Sequence, residues 1–185
     1  MQTSFSTLGD ATIRSSALGL FCIGVGASMA FPLLTVYLVE NLGYRPSVAS
    51  LFFLTSLVGP LVSVATGRLS DQLASRYPLI GFTALWLALG WLLIAFAQSF
   101  WLVILVGVLF FGFIGTLNAQ IFAQLRDYLT AGSFERQNQI VASVRTAYAA
   151  GWIIGPVLGS WVGLAVGLRE LFVLTALLYL SFANP

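Results

Sequence analysis

The sequence lacks lysine and histidine, contains one cysteine, and has few charged residues of either sign. Its 185 residues include 8 basic residues, all of them arginine, and 6 acidic residues, so only 8% of the chain is charged. A soluble domain typically has about 25% charged residues. Because 59% of the residues are hydrophobic and the mean hydropathy is +0.97, the composition predicts an integral membrane protein.

These absences exclude several classes of function. Without histidine there is neither a histidine metal site nor a histidine proton relay. The lone Cys22 cannot form an intrachain disulfide. We find no phosphate loop, no nucleophilic serine elbow and no metal-ligand spacing, and therefore expect no catalytic residue, no metal and no cofactor. The arginines are scattered among the loops, so the net charge of +2 does not indicate nucleic-acid binding.

Six apolar segments follow one another along the chain. They cover residues 16–39, 48–66, 78–97, 100–124, 140–166 and 171–182. A helix that crosses the bilayer needs about 20 residues, and the sixth segment has only about a dozen. We therefore predict an all-α fold, a polytopic bundle of about six transmembrane helices over residues 1–185, in which the sixth helix is truncated.

The arginines between the segments predict the orientation of this bundle. Five lie on the side of the N-terminus: Arg14, Arg68, Arg76, Arg126 and Arg136. Two lie on the opposite side, Arg45 and Arg169. Since cytoplasmic loops carry the excess of positive charge, we expect a cytoplasmic N-terminus.

Arg145 is the one basic residue inside an apolar segment. An arginine at depth in the bilayer costs roughly 3 kcal/mol or more, and it usually faces a polar cavity or a partner. Trp152 lies seven residues later, about two turns along the same helix face. A guanidinium beside an aromatic ring suits a polar organic solute such as a sugar. In the alternative interpretation, Arg145 lies near the cytoplasmic end of the helix and snorkels to the interface.

Other polar side chains lie in the fourth and fifth segments. Tyr148 falls on the same stripe as Arg145 and Trp152. Gln120 and Gln124 can share a helix face, whereas Asn118 lies two positions from Gln120 and cannot share its face closely. The candidate substrate-binding residues are therefore Arg145, Trp152, Tyr148, Asn118, Gln120 and Gln124. For each amide, the alternative is a hydrogen bond between helices.

No acidic residue lies in the middle of an apolar segment. Proton coupling normally needs a carboxylate whose pKa is raised by burial. All six acids lie at segment ends or in loops, and Asp127, beside Arg126, is the nearest candidate for such a residue. The sequence therefore does not identify a proton-coupling residue.

Glycine recurs at every fourth position of the fifth segment. The series comprises Gly151, Gly155, Gly159, Gly163 and Gly167. A helix face without side chains allows a neighbouring backbone to approach closely, while Pro156 removes a backbone donor and favours a kink. The stripe predicts close helix packing, either as a static contact or as a seam that moves during transport.

The turn between the second and third segments resembles the signature loop of the major facilitator superfamily. Gly67-Arg68-Leu69-Ser70-Asp71 matches its G-x-L-[AS]-D pattern, and Arg76 matches one of the basic positions that follow, although Gln72 and Ser75 do not. In that family the loop is a conformational latch whose aspartate contacts the other half of the transporter. The resemblance therefore assigns Gly67, Asp71 and Arg76 to a conformational motif.

Two further stretches resemble narrower groups of that superfamily. Gly151-Trp-Ile-Ile-Gly155-Pro156-Val-Leu-Gly159 is similar to the G-x-x-x-G-P-x-x-G motif of its antiporter branch. Residues 120–128, together with residues 143–145 ahead of Trp152, resemble the bacterial sugar efflux transporters. The resemblance assigns Gly151, Gly155, Pro156 and Gly159 to the conformational motif as well.

These resemblances imply the N-terminal six-helix half of a major facilitator exporter in the cell inner membrane. The implied activity is sugar efflux by alternating access, with proton coupling, and the implied partners are a small-molecule substrate and the lipid bilayer. Either a missing C-terminal half or a second copy is needed for a complete transport path. The alternatives are a multidrug efflux antiporter, a homodimeric half-size carrier, and a non-transporting truncated fragment.

Overall fold

Six helices make up the computed structural model, which describes residues 10–73 and 75–181. They are α1 (Ala11–Asn41), α2 (Pro46–Ser70), α3 (Tyr77–Ala95), α4 (Phe100–Ala131), α5 (Gln137–Ala165) and α6 (Leu168–Leu180). The first five are long and apolar enough to cross a membrane. The prediction of an all-α membrane helix bundle is confirmed. The predicted end of the sixth segment, at residue 182, lies outside the described residues.

Local sequence signals account for several helix ends. Asp10 caps α1 by accepting a hydrogen bond from Thr12 N at 2.9 Å, and Ser99 caps α4 by accepting one from Leu102 N at 3.3 Å. Each side chain satisfies a backbone donor that has no partner within the helix. Pro46 occupies the first turn of α2, where its missing N–H costs nothing.

The fourth helix extends further than the sequence predicts. The polar stretch after residue 124 reads as the start of a long loop, but α4 continues to Ala131. Leu125 and Leu129 are fully buried, while Asp127 and Tyr128 bond to neighbouring elements. This amphipathic stretch therefore stays helical, and the loop contains only residues 132–136.

A short 3₁₀ segment, Phe111–Phe113, interrupts α4. Phe113 N donates to Phe110 O at 3.0 Å, so the carbonyl of Leu109 lacks its usual partner four residues later. Trp86 Nε1 of α3 donates to that carbonyl at 2.9 Å. The tryptophan thereby satisfies the backbone acceptor that the tighter turn leaves free.

The closest helix pair in the bundle is α1 with α5. Gly151, Gly155 and Gly159 are buried against α1. A Cβ at Gly155 would lie 2.8 Å from Val25 O and would collide with Ser28 Oγ. Ser28 Oγ also donates to Gly151 O at 3.2 Å, across the helix pair. These three glycines therefore form a close seam, as their spacing indicates.

The last glycine of the predicted stripe has a different role. Gly167 lies in the turn between α5 and α6 with φ of 114°, a conformation that favours glycine. α5 itself continues as a helix through Pro156 and ends at Ala165. The glycine seam is thus shorter than the sequence pattern suggests.

Aromatic side chains fill the interior between α1, α3, α4 and α6. Trp91 is fully buried, with ring centroids 5.2 Å from Phe31, 4.5 Å from Phe111 and 5.8 Å from Phe172. In contrast, α2 and α5 are the most exposed of the five spans, since only 17% of the residues in an apolar 18-residue stretch of each are buried. Their exposed side chains are mainly apolar, as expected for a multi-pass membrane protein.

Candidate functional site

The polar residues of α4 and α5 meet where Asn118 faces Tyr148. Asn118 Nδ2 donates to Tyr148 Oη at 3.0 Å. The other amide atom, Asn118 Oδ1, is buried and has no hydrogen-bond partner within residues 10–73 and 75–181. A buried polar atom without a partner costs about 1–3 kcal/mol. Exchanging the two amide atoms does not remove the problem, because Tyr148 can bond to only one of them.

Trp152 lies one turn beyond Tyr148 and completes an aromatic pair. The two ring centroids are 6.3 Å apart, and the rings meet edge to face. Trp152 is 44% exposed, so one part of its ring packs and another is free to contact a ligand. Gly24 of α1 backs the pair, since a Cβ there would lie 2.7 Å from Tyr148 O and 3.4 Å from Trp152 Cδ1.

Arg145 extends the same stripe toward the start of α5. Its side chain is exposed, and its guanidinium lies 5.4 Å from the centroid of the Phe122 ring on α4. With a rise of 1.5 Å per residue, α5 is about 43 Å long, so Arg145 lies roughly 5 Å inside a centred 30 Å hydrocarbon core. At that depth the arginine can reach either the interface or a polar site between helices.

Gln120 lies on a different face of α4 from Asn118. It is buried, and its Oε1 accepts hydrogen bonds from Ser70 Oγ and, at 3.2 Å, from Arg76 Nη1. Gln124, one turn later, lines a cleft beside Tyr77 of α3 and Ser16 of α1. The six residues predicted to bind substrate therefore separate into two groups. Asn118, Arg145, Tyr148 and Trp152 form the first group, which we name the α4–α5 site.

Gln120, from the second group, belongs to a network centred on Arg76. The guanidinium donates from Nε to Asp127 Oδ2 at 2.8 Å and from Nη2 to Asp71 Oδ1 at 3.3 Å. It also donates to Ser70 Oγ. We name the end of the bundle that holds this network the Arg76 end. The hydrogen bond to Asp127 is the main cause of a raised pKa of Arg76, so the guanidinium stays charged.

This network joins three helices at one point. Ser70 ends α2, Arg76 precedes α3, and Asp127 lies in the last part of α4. Gly67 of the same motif has open space around it, since a Cβ there would meet no atom of the described residues within 4 Å. Hydrogen bonds thus hold Asp71 and Arg76 in place, whereas no contact among the described residues requires a glycine at position 67.

Two members of the Arg76 end were not predicted from the sequence: Asp127 as a partner of Arg76, and Tyr128 as a partner of Asp10. Asp127 is the strongest partner of Arg76, and Tyr128 beside it donates to Asp10 Oδ2 at 2.6 Å. That hydrogen bond is the main cause of a lowered pKa of Asp10. Recognising the amphipathic pattern of residues 125–131 would have placed both residues on a helix and suggested partners for them.

A family model described as Major Facilitator Superfamily matches residues 16–183 of the chain. Sugar efflux transporter C of Escherichia coli (strain K12) is 27% identical over 179 residues, which are 96% of this chain and 45% of that protein. Sugar efflux transporter A of Dickeya chrysanthemi is 28% identical over 174 residues, 93% of this chain and 44% of that protein.

Relatives named for a different function match over a similar span. Multidrug resistance protein MdtG of Proteus mirabilis (strain HI4320) is 30% identical over 175 residues, 89% of this chain and 41% of that protein. The chain thus spans less than half the length of the curated relatives it matches.

Proposed function

Because the chain belongs to the major facilitator superfamily, we propose that it forms part of a sugar exporter that works by alternating access. The relatives with high coverage of this chain include several named sugar efflux transporters. In such carriers the substrate binds near the midplane, between two repeated halves. The proposed role is therefore that of a transporter half rather than of an enzyme.

The observation that carries this proposal is the unpaired amide oxygen of Asn118. A hydroxyl donor from a sugar would satisfy Asn118 Oδ1, which has no partner in the described chain. Tyr148 can exchange hydrogen bonds with the same hydroxyl groups, and the exposed part of Trp152 offers an apolar ring for the C–H face of a sugar. Arg145 supplies further donors at the edge of the site. These four residues together fit a neutral, hydroxylated solute.

The Arg76 network supplies a conformational element for the same cycle. Arg76 holds α2, α3 and α4 together through Ser70, Asp71 and Asp127. Asp71 has 73% of its side chain exposed, which leaves it able to contact a second half. We propose that this contact forms in one state and breaks in the other, so that the network latches one conformation.

The arginine distribution supports a cytoplasmic Arg76 end, since five of the seven arginines outside the apolar segments of the sequence lie there. The N-terminus is then cytoplasmic, and sugar enters from that side. We propose that a complete path needs a second six-helix half, either the remaining length that the relatives have or a second copy. Every acidic residue in the described range lies at a helix end or in a turn, so we assign proton coupling to that second half.

The test uses two proteins in cells loaded with a radiolabelled sugar. One is the chain alone, and the other is a chimera in which it replaces the first half of Sugar efflux transporter C. We expect efflux from the chimera and a loss of about tenfold or more with Trp152→Ala at equal membrane expression, since a lost stacking contact and hydrogen bonds weaken the bound state. Efflux from the chain alone would indicate assembly of two copies. No efflux from a well-expressed chimera would contradict the proposal.

A second candidate is export of apolar cationic or aromatic drugs. The 30% identity to the multidrug resistance protein and the exposed aromatic surface of Trp152 support it. Drug export predicts that the chimera lowers the accumulation of a dye such as ethidium. Sugar export instead predicts that the chimera lowers the accumulation of sugar and leaves the accumulation of dye unchanged. Parallel assays of sugar and dye therefore separate the two functions.

A further inference from the structure

A second cleft lies at the Arg76 end, away from the α4–α5 site. It is lined by residues of α1, α3 and α4 and by Ser181, which follows α6, and it has a volume of about 370 Å³. Its polar lining residues are Thr12, Ser15, Ser16, Tyr77, Gln124 and Ser181. We name it the Ser16 cleft. Small-molecule sites range from about 300 to 1,000 Å³, so the cleft has room for one small solute.

The lining of the Ser16 cleft is uncharged, and it combines hydroxyl and amide groups with a larger apolar surface. None of its lining residues is acidic or basic. An ionised ligand would lose its hydration here without gaining a counter-charge, which is unfavourable. A fully apolar ligand would leave the hydroxyl and amide groups without partners. The chemistry therefore favours a neutral ligand that combines C–H surface with several hydroxyl groups.

Several of these polar groups are available for such a ligand. The Ser16 hydroxyl, the Gln124 amide and the Tyr77 hydroxyl make no hydrogen bond to any residue in the ranges 10–73 and 75–181. Ser15 donates to Thr12 O at 3.0 Å and keeps its lone pairs as acceptors. Donors and acceptors thus come from three helices and face one space.

Apolar atoms complete the cleft. Ile80 of α3 and Ile121 of α4 contribute to its wall, and Gly19 leaves part of α1 without a side chain. A sugar ring presents C–H groups as well as hydroxyls, so it can use both kinds of surface. We propose that the Ser16 cleft is a separate binding site for a neutral polyhydroxylated small molecule. This ligand class follows from the lining of the cleft and does not rest on the proposed transport.

The test is protection of an introduced cysteine in the 185-residue chain, assayed in membranes. Ser16→Cys is made in a Cys22→Ser background and labelled with a small maleimide, using glucose as the probe ligand. Labelling requires an unoccupied cleft, so glucose at ten times its half-protecting concentration should slow the reaction about tenfold. Ser143→Cys, on the exposed surface of α5, is the matched control and should react at the same rate with and without glucose.

Three further arms make the outcome decisive. Gluconate should give no protection, because the cleft offers no positive side chain. Gln124→Leu should abolish protection by glucose, while Asn118→Ala should leave it intact even where it abolishes efflux. Failure of transport and failure of the cleft are therefore distinguishable. An unreactive Ser16→Cys, a reactive one that glucose does not protect, or equal protection by gluconate would each overturn the proposal.

Discussion

Arg76 Nε donates to Asp127 Oδ2 over 2.8 Å and thereby ties the start of α3 to the last part of α4. The arginine also bonds to Ser70, Asp71 and Gln120. One guanidinium with several fixed donors can connect these elements, whereas a lysine at the same position would supply a single ammonium group. The local geometry of the Arg76 end depends on this one side chain.

Breaking the ion pair should therefore loosen this end. We expect Arg76→Ala to lower the free energy of unfolding by about 1–2 kcal/mol, a modest value because the carboxylate of Asp127 is largely exposed. Thermal unfolding in detergent of Arg76→Ala, Asp127→Ala and the double variant forms a double-mutant cycle. The cycle measures the coupling free energy between the two side chains. Asp71→Asn is the matched comparison, and its longer, more exposed contact should matter less. An equal or larger effect of Asp71→Asn would contradict this ranking.

Gly24 should tolerate no added side chain, while a neighbouring glycine should. A Cβ at Gly24 would lie 2.7 Å from Tyr148 O, whereas a Cβ at Gly26 would have its nearest neighbour at 3.6 Å. We expect Gly24→Ala to destabilise the bundle by about 1–3 kcal/mol and to reduce efflux by the chimera. Gly26→Ala should change stability by less than about 0.5 kcal/mol. Similar melting curves for the two variants would show that α1 does not position the aromatic pair.

The glycine seam predicts a graded response along α5. Gly155→Ala should destabilise the α1–α5 pair, because the new Cβ would press against backbone and Ser28. At Gly163 the nearest atoms are the ends of Leu168 and Leu33, at 3.1 and 3.5 Å, and these flexible side chains can move. We expect a loss of about 2 kcal/mol for the first variant and under about 1 kcal/mol for the second. Thermal unfolding of both variants checks this order.

Much of the seam, but not its partner, can be predicted from the sequence. Spacing by four places Gly151, Gly155 and Gly159 on one helix face regardless of the tertiary fold. Which helix packs there depends on the arrangement of all six helices, and the sequence pattern of α1 gives no period that selects it. The five long spans were predictable for a similar reason, since length and hydropathy are local properties.

The candidate site was less predictable. Residue type assigned Gln120 and Asn118 to one substrate site, but the structure places Gln120 against Ser70 and Arg76. A buried amide serves equally well as a ligand contact or as an interhelical bond. The rotation of α4 about its axis determines which amide faces α2 and which faces α5. That rotation depends on the tertiary fold and cannot be read from the residue type. The last part of α4 was not predicted, because the charged residues at positions 126 and 127 interrupt the apolar run. Leu125 and Leu129 nevertheless share one buried face of the helix.

The contact between Asp10 and Tyr128 predicts a pH dependence. The hydrogen bond from Tyr128 lowers the pKa of Asp10 below its ordinary value of 3.8. A lowered folded-state pKa means that the contact stabilises the protein above about pH 4 and that this contribution is lost as the pH falls through the folded pKa. Tyr128→Phe should therefore melt at a lower temperature than the parent at pH 6, and the difference should shrink toward pH 3. A difference independent of pH would contradict the assignment.

We propose that Asn118 and Gln120, two positions apart on α4, serve different purposes. Sugar efflux and thermal stability are measured together for Asn118→Ala and Gln120→Ala in the chimera. We predict that Asn118→Ala loses efflux and largely keeps its stability, because it removes the unpaired Oδ1 together with a single hydrogen bond to Tyr148. Gln120→Ala should lose stability by about 1–3 kcal/mol, because it leaves buried donors without a partner. Full efflux by Asn118→Ala at normal membrane levels would contradict the account.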